Sequence, residues 1–356
     1  MPRAAIPSFI EQHSSTLLRE ASPGMRFGMY LPIWTSYEDQ KHSVEKMAQK
    51  KSRKGQEVKT TIDLEGVDSA ITRYVKEGLW EKNDSATREA WDIVKALNPK
   101  DRKRITALVD RQNGLIALYP NTDRLSVDAV GIAPFVTGMG NEHPLENGFA
   151  FLNPHGVPYL PASGVKGVLR AAAEELAGNS RRDWEPGQSF GWTHMFDTHL
   201  CNGPRSVIEL LFGHDAQDGQ TTNAPLFRGL LEFWDVIPQL GRDDLMVEIM
   251  TPHLKDYYEG KASPHESGQP NPIKFLAIPP GSRFTFHLRI NKVRMEALGL
   301  TDTLGSVWQD LIHAAFDHAF QWLGFGAKTS LGYGAMAFDE SAADERRDIE
   351  RVQAEK

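Results

Sequence analysis

The sequence predicts an α+β fold in which two helices pack on one face of an antiparallel sheet, and three patterns carry that prediction. Phe284, Phe286, Leu288 and Ile290 alternate with Arg283, Thr285, His287 and Arg289, a period of two that sends one set inward and the other outward. Leu304, Val307, Trp308, Leu311, Ile312, Ala315, Phe316, Ala319, Phe320 and Leu323 recur instead at helical spacing over about five turns. Short apolar runs at 126 to 137, 226 to 236 and 335 to 338, each bounded by turn residues, supply further strands.

The elements follow in a nameable order. Residues 126 to 137 form the first strand. Residues 164 to 177 form the first helix, with Val165, Val168, Leu169, Ala172 and Leu176 as its buried stripe. Residues 226 to 236 form the second strand. Ile273 to Ile278, the turn Pro279 to Ser282, and Arg283 to Ile290 predict a hairpin. The long helix and the last strand come after it. With the hairpin counted as an elaborated third strand, the order is βαββαβ, the ferredoxin-like arrangement, over a core of residues 114 to 338.

Flanking regions differ in character. Residues 1 to 34 are read as a segment joining the core, and 35 to 113 as an N-terminal helical insertion or subdomain. There Val67, Ile71, Tyr74 and Val75 share a face, and Trp91, Ile93, Val94 and Leu97 form a second apolar cluster. A long loop insertion spans 239 to 272. Residues 339 to 356 mix Asp339, Glu340, Asp344, Glu345, Asp348, Glu350 and Glu355 with Arg346, Arg347, Arg351 and Lys356, the composition of a charged, solvated helical tail.

At 356 residues, 40% hydrophobic and 24% charged, the chain has enough apolar surface for one large or two ordinary domains. Its single cysteine, Cys201, excludes an internal disulfide framework and a cysteine-rich zinc site, which fits a reducing cytoplasm. No basic-then-apolar leader and no bilayer-length apolar run is visible, so a cytoplasmic location without a membrane partner is expected. A net charge of −7 argues against a basic exterior that coats nucleic acid, so any RNA contact must be local. The basic run at 41 to 59 is compatible with an arm touching RNA or with a solvated loop.

Two segments rich in glycine and lysine offer such local contacts. In Pro161-Ala-Ser-Gly-Val-Lys-Gly-Val-Leu-Arg170, Ser163 is placed to cap the helix, Gly164 and Gly167 allow close approach, and Lys166 and Arg170 stand one turn apart. Free amides and the helix dipole attract anions at such an end. A surface helix with two solvated cations would have the same sequence. The second segment, Gly324-Phe-Gly-Ala-Lys-Thr-Ser-Leu-Gly-Tyr-Gly334, sets Gly326, Lys328, Thr329 and Ser330 in a glycine loop between the long helix and the last strand. It is not a Walker loop, because Ala327 stands where a glycine must precede the lysine. Nor is it a dinucleotide fingerprint, since no βαβ unit follows.

These two segments resemble the RAMP superfamily of CRISPR proteins, whose members carry a Ser-x-x-Lys-Gly helix start and a C-terminal glycine-rich loop. A third region, Ile249 to Tyr258 followed by Asn271 to Phe286, is similar to the sixth RAMP subunit of type III-B (Cmr) effector complexes. The resemblance covers roughly residues 126 to 338 and Met25 to Leu31. It implies an RRM-like RAMP fold and a non-catalytic subunit that holds the 3′ part of a guide RNA, and the target RNA paired to it, at the end of the RAMP filament in antiviral defence. Other RAMP subunits and a small helical subunit would be its protein partners, with no cofactor. In this family glycine loops and thumb-like insertions grip the RNA backbone, and no Gly-Phe-Gly-Phe aromatic run for base stacking is present here. His253, Tyr257 and Tyr258 sit in the long insertion, where a tyrosine either stacks on a base or packs the loop onto the domain.

Catalytic and metal sites are weakly signalled. His313 and His318 are five apart and fall on different helix faces. His194 with His199, and His214 with Asp215 and Asp218, lack a complete ligand set. No catalytic residue and no metal site are predicted. The alternative is an endoribonuclease of the same superfamily acting on guide or target RNA, for which His155 and His253 are the nearest general bases.

Overall fold

The computed structural model describes residues 20–29, 34–35, 81–82, 84–144, 147–178, 191–198, 203–214, 226–251, 263 and 272–354. The chain divides into two compact units, 1–98 and 99–356. The expected helical face at Val67 to Val75, the basic run at 41 to 59, and His199, Cys201, Asp215 and Asp218 lie outside the described residues.

In the first unit, helix α1 (Pro23–Gly28) packs on α2 (Asp84–Lys95). Trp91 and Val94 bury the inner face of α2, with the Phe27 ring 6.3 Å from Trp91. Arg26 is buried and donates to the carbonyls of Ile93 (3.2 Å) and Ala96 (2.6 Å). Those are acceptors that the end of a helix leaves open, and a cation there also suits the dipole.

The second unit opens with α3 (Pro99–Ile116), so the division falls within the helical stretch expected over 35 to 113. Its remaining principal elements are β1 (Arg124–Gly131), α4 (Ala162–Gly178), β2 (Leu231–Phe233), β3 (Met246–Met250), β4 (Ile273–Ala277), β5 (Arg283–Ile290), α5 (Leu304–His318), β6 (Met336–Phe338) and α6 (Glu340–Ala354). Four strands make one antiparallel sheet in the order β2-β5-β1-β6. Helices α4 and α5 pack against each other. Trp308, Ile312, Ala315 and Phe316 of α5 are buried, and Phe286 of β5 meets Phe316 at 5.1 Å and Phe325 at 4.9 Å. Burying such side chains contributes about 1.5–3 kcal/mol each. The helix continues as a π-turn, Ala319–Leu323, and stops at Gly324.

Five expectations need correction. The first strand ends at Gly131 instead of running to 137. Pro134 has no N–H to offer a ladder, the amides of Ile132 and Ala133 both turn to the Ala335 carbonyl, and Phe135 makes a single bridge to Ile278. The second strand is broken at Gly229, where a Cβ would stand 2.4 Å from the Leu211 carbonyl oxygen. Its first part, Phe227–Arg228, therefore pairs with Gly213–His214, and only β2 joins the main sheet.

The expected hairpin between 273 and 290 does not form. β4 pairs with β3, while β5 pairs with β1 and β2. The turn between them is tied to the end of β1: Gly281 donates to the Gly131 carbonyl (2.7 Å), and Gly131 donates to that of Ser282 (2.9 Å). The chain thus steps from one sheet to another at 279 to 282.

His287, expected to face outward, is 2% exposed. Its Nδ1 lies 2.9 Å from Ser126 Oγ, and the Trp234 indole stands edge-on at 5.8 Å. Burial, helped by the charges of Arg346 and Arg124, lowers its pKa to about 3. Finally, the charged tail is helical but tethered. Arg346 reaches back to Asp128 (2.9 Å) and to the Ser126 carbonyl (3.1 Å), and Arg283 pairs with Asp339 (3.3 Å). The sheet face opposite the core is therefore partly occupied by polar contacts from α6.

Candidate nucleic-acid interface

Helix α4 begins at Ala162, one residue before the expected cap, so Ser163 lies in the first turn. Pro161 stands at the capping position and has no polar side chain to offer, and its carbonyl accepts from Gly164 (2.9 Å) and Val165 (3.2 Å). The side-chain oxygen comes from across the fold: Asp235 Oδ1 accepts from the Ala162 amide at 2.7 Å. A carboxylate in this place satisfies one free amide and offsets the positive end of the helix dipole. The helix end is therefore already partly answered by an internal anion. Lys166 remains exposed, whereas Arg170 is half-buried and bonded to Glu174 at 2.8 Å. Gly164 and Gly167 have ordinary helical backbones, and a Cβ at Gly167 would meet nothing within 4 Å.

The loop after α5 is built differently. Gly324, Gly326, Gly332 and Gly334 have φ values of 70°, 88°, 88° and 71°. A Cβ on Gly334 would fall 1.8 Å from the Phe325 carbonyl oxygen, and one on Gly326 2.2 Å from that of Val136. Backbone bonds close the loop on both sides: Phe325 donates to Gly334 (2.9 Å), Ala327 to Val136 (2.7 Å) and Gly334 to Pro134 (2.8 Å). Among the described residues, Lys328 is the one non-glycine with positive φ, at 61°. It precedes a short 3₁₀ turn, Thr329–Leu331, in which Ser330 is exposed and Thr329 half-buried.

Lys328 also faces an aromatic wall. Its Nζ lies 5.6 Å over the Phe275 ring of β4, and the Tyr333 ring is 5.8 Å from the same phenylalanine. The Tyr333 hydroxyl donates to Glu248 of β3 at 3.2 Å, and burial together with that carboxylate pushes its pKa up. The glycine loop is thereby fixed to the middle of the β3–β4 pair, where Glu248 and Phe275 face each other in register. His253, Tyr257 and Tyr258 belong to the connection between those strands and lie outside the described residues.

The two segments are anchored at opposite edges of the main sheet. Asp235 and Val236, which hold the start of α4, follow the edge strand β2, and the glycine loop feeds the other edge strand, β6. Three inter-strand spacings, about 14 Å, separate those strands. Asp235, Glu248 and Phe275, which shape both segments, were missed as site residues; each acts on a partner far away in sequence, so no local motif marks it.

Four of the described histidines have partners of their own. The His313 ring stacks on Phe338 (4.9 Å), His318 pairs with Glu175 (2.7 Å), His214 with Glu209 (3.2 Å), and His194 lies against Phe196 (4.6 Å). The backbone carbonyl of His155 accepts from Arg104. Among the described residues, no group of three or more His, Cys, Asp or Glu is arranged to hold a metal, and no helix is long and apolar enough to cross a membrane.

A curated relative, the CRISPR system Cmr subunit Cmr6 of Pyrococcus furiosus, is 27% identical over 245 residues, covering 56% of this chain and 64% of the relative. The match therefore spans less than two thirds of that relative's length. Among solved structures, a type III-B Cmr-beta complex bound to cognate target RNA contains a chain with 19% identity and a TM-score of 0.44, covering 75% of each chain. The crystal structure of Cmr6 from Pyrococcus furiosus gives 21% identity and a TM-score of 0.33, covering 61% of this chain and 98% of that one. The family model for the RAMP superfamily matches residues 129–337, more than half of the sequence and inclusive of both glycine segments. The chain belongs to the RAMP superfamily.

Proposed function

We propose that this chain is a non-catalytic, RNA-binding structural subunit of a type III-B (Cmr) CRISPR ribonucleoprotein in the cytoplasm. It corresponds to the sixth RAMP subunit and holds the 3′ part of the guide RNA, with the target paired to it, at the end of the RAMP filament. The similarity to a Cmr subunit supports the assignment. The strand order and the two helices packed together support a ferredoxin-like core; residues 35 to 113 are read as an insertion.

One observation carries the RNA-binding reading: Lys328 is held in a left-handed conformation that costs a non-glycine residue about 1–2 kcal/mol. The surrounding glycine loop is over-determined by backbone bonds, the circumstance in which such strain persists at functional sites. Gly326, Lys328, Thr329 and Ser330 then offer amides, hydroxyls and a cation to phosphates at one sheet edge. Ser163, Gly164, Lys166, Gly167 and Arg170 make the second grip at the other edge, and His253, Tyr257 and Tyr258 add further contacts to the RNA. Other RAMP subunits and a small helical subunit dock on the remaining faces.

The test is a crosslink map. The complex is reconstituted on a guide carrying photoreactive nucleotides in its 3′ part, and the crosslinked peptides are sequenced. Crosslinks should concentrate in 161 to 170 and 324 to 334. Crosslinks confined to other segments, or guide cleavage by the purified chain, would reject the reading.

A further inference from the structure

Beside the first turns of α4 lies an open groove of about 400 Å³, bordered on one side by the first glycine segment. Ser163 and Lys166 form one wall, and Arg228, Glu232 and Trp234 contribute the others. Its volume is at the lower end of the roughly 300–1,000 Å³ usual for small-ligand sites. Glu232 is the groove's carboxylate, but it is committed: Arg289 Nε approaches it at 2.5 Å and Asn291 Nδ2 at 3.3 Å. The ammonium of exposed Lys166 and the guanidinium of exposed Arg228 therefore set the charge of the groove. They come from independent elements, the helix and the Phe227–Arg228 strand.

Trp234 is half-buried and rigidly mounted. Its backbone N–H donates to the His287 carbonyl at 3.1 Å, and its indole stands edge-on to the buried His287 ring, which Ser126 orients. Two cations, a hydroxyl and a fixed aromatic plane around one nucleotide-sized space match the needs of a phosphate, a ribose and a base. The helix terminus is not what makes the groove a site, because Asp235 already answers the Ala162 amide.

We infer that this groove binds an unpaired nucleotide of RNA, with its base stacked on Trp234 and its flanking phosphates held by Lys166 and Arg228. The inference rests on the RNA-binding reading above. A duplex would not serve, since its bases are stacked inside the helix and unavailable to an indole.

The test uses the full chain, a labelled single-stranded RNA and the same RNA annealed to its complement. Trp234→Ala should weaken single-strand binding about 5- to 150-fold, the loss typical of one stacked base. Trp234→Phe should restore most of it, and duplex binding should be unchanged by either variant. Arg228→Ala should lower the slope of log affinity against log salt by about 0.7, one phosphate contact on a single strand. Should Trp234→Ala compromise folding, the Arg228→Ala slope and a photo-crosslink from Trp234 to RNA decide the matter. Wild-type affinity and slope in these variants, while Lys328→Asn still weakens binding, would overturn the groove and leave the broader reading standing. Crosslinks from the groove to a protein subunit alone would also overturn it. A wild-type chain that binds neither RNA would remove both.

Discussion

The helix start at 161 to 170 and the loop at 324 to 334 look alike in sequence, each setting glycines around a lysine, yet their glycines do different work. In the loop, positive φ and backbone approach make Gly326 and Gly334 indispensable, whereas Gly167 sits in an ordinary helical turn facing open space. The loop is a rigid frame that holds a strained lysine. The helix start is a regular element whose charge is tempered by Asp235. A shared motif vocabulary thus conceals one site built by the backbone and another built by side chains.

The largest effect should come from breaking the frame. Gly334→Ala drives a Cβ into the Phe325 carbonyl in a left-handed conformation and should destabilise the second unit by on the order of 3 kcal/mol or more, measured by denaturant unfolding. Next is the sheet that joins the two regions, through His287. Its folded pKa of about 3 lies below the unfolded value of 6.5, so between those limits the unfolded chain binds the extra proton. Stability fully present above pH 6.5 is then lost as pH falls towards 3, by about 1.4 kcal/mol per pH unit at most. His287→Gln should flatten that part of the acid unfolding profile relative to the wild type.

Smaller changes separate the helix start from the loop. Asp235→Ala removes the cap oxygen and should cost about 1 kcal/mol in thermal unfolding. The same change should hold or raise RNA affinity, because an internal anion leaves the neighbourhood. Smallest of all, Gly167→Ala should stabilise the chain by up to about 1 kcal/mol, the helix-interior preference for alanine over glycine. A large loss at Gly167 would show that the two glycine sets are equivalent after all.

What could be read from the sequence follows from the reach of each signal. The period of two in Arg283 to Ile290 and the helical period of Leu304 to Leu323 are local, and both elements formed where the pattern put them. The turn Pro279 to Ser282 reads the same whether it closes a hairpin or carries the chain between two sheets; the deciding bonds go to Gly131, some 150 residues earlier. Arg346 reads as one more charge in a solvated tail, because its partner Asp128 lies in the first strand. In the candidate interface, Lys166 and Lys328 are legible from glycine context. Asp235, Phe275, Arg228 and Trp234 become visible only when distant strands are brought together.

The most direct test of the central claim is the salt dependence of guide RNA binding by the Lys166→Ala/Lys328→Asn double variant. Asparagine tolerates the left-handed backbone at 328, so charge is removed while the frame is kept. With both lysines on phosphates, the slope of log affinity against log salt should fall by about 1.4 from the wild-type value. A slope and an affinity indistinguishable from the wild type, in a variant that keeps its thermal stability, would contradict the account.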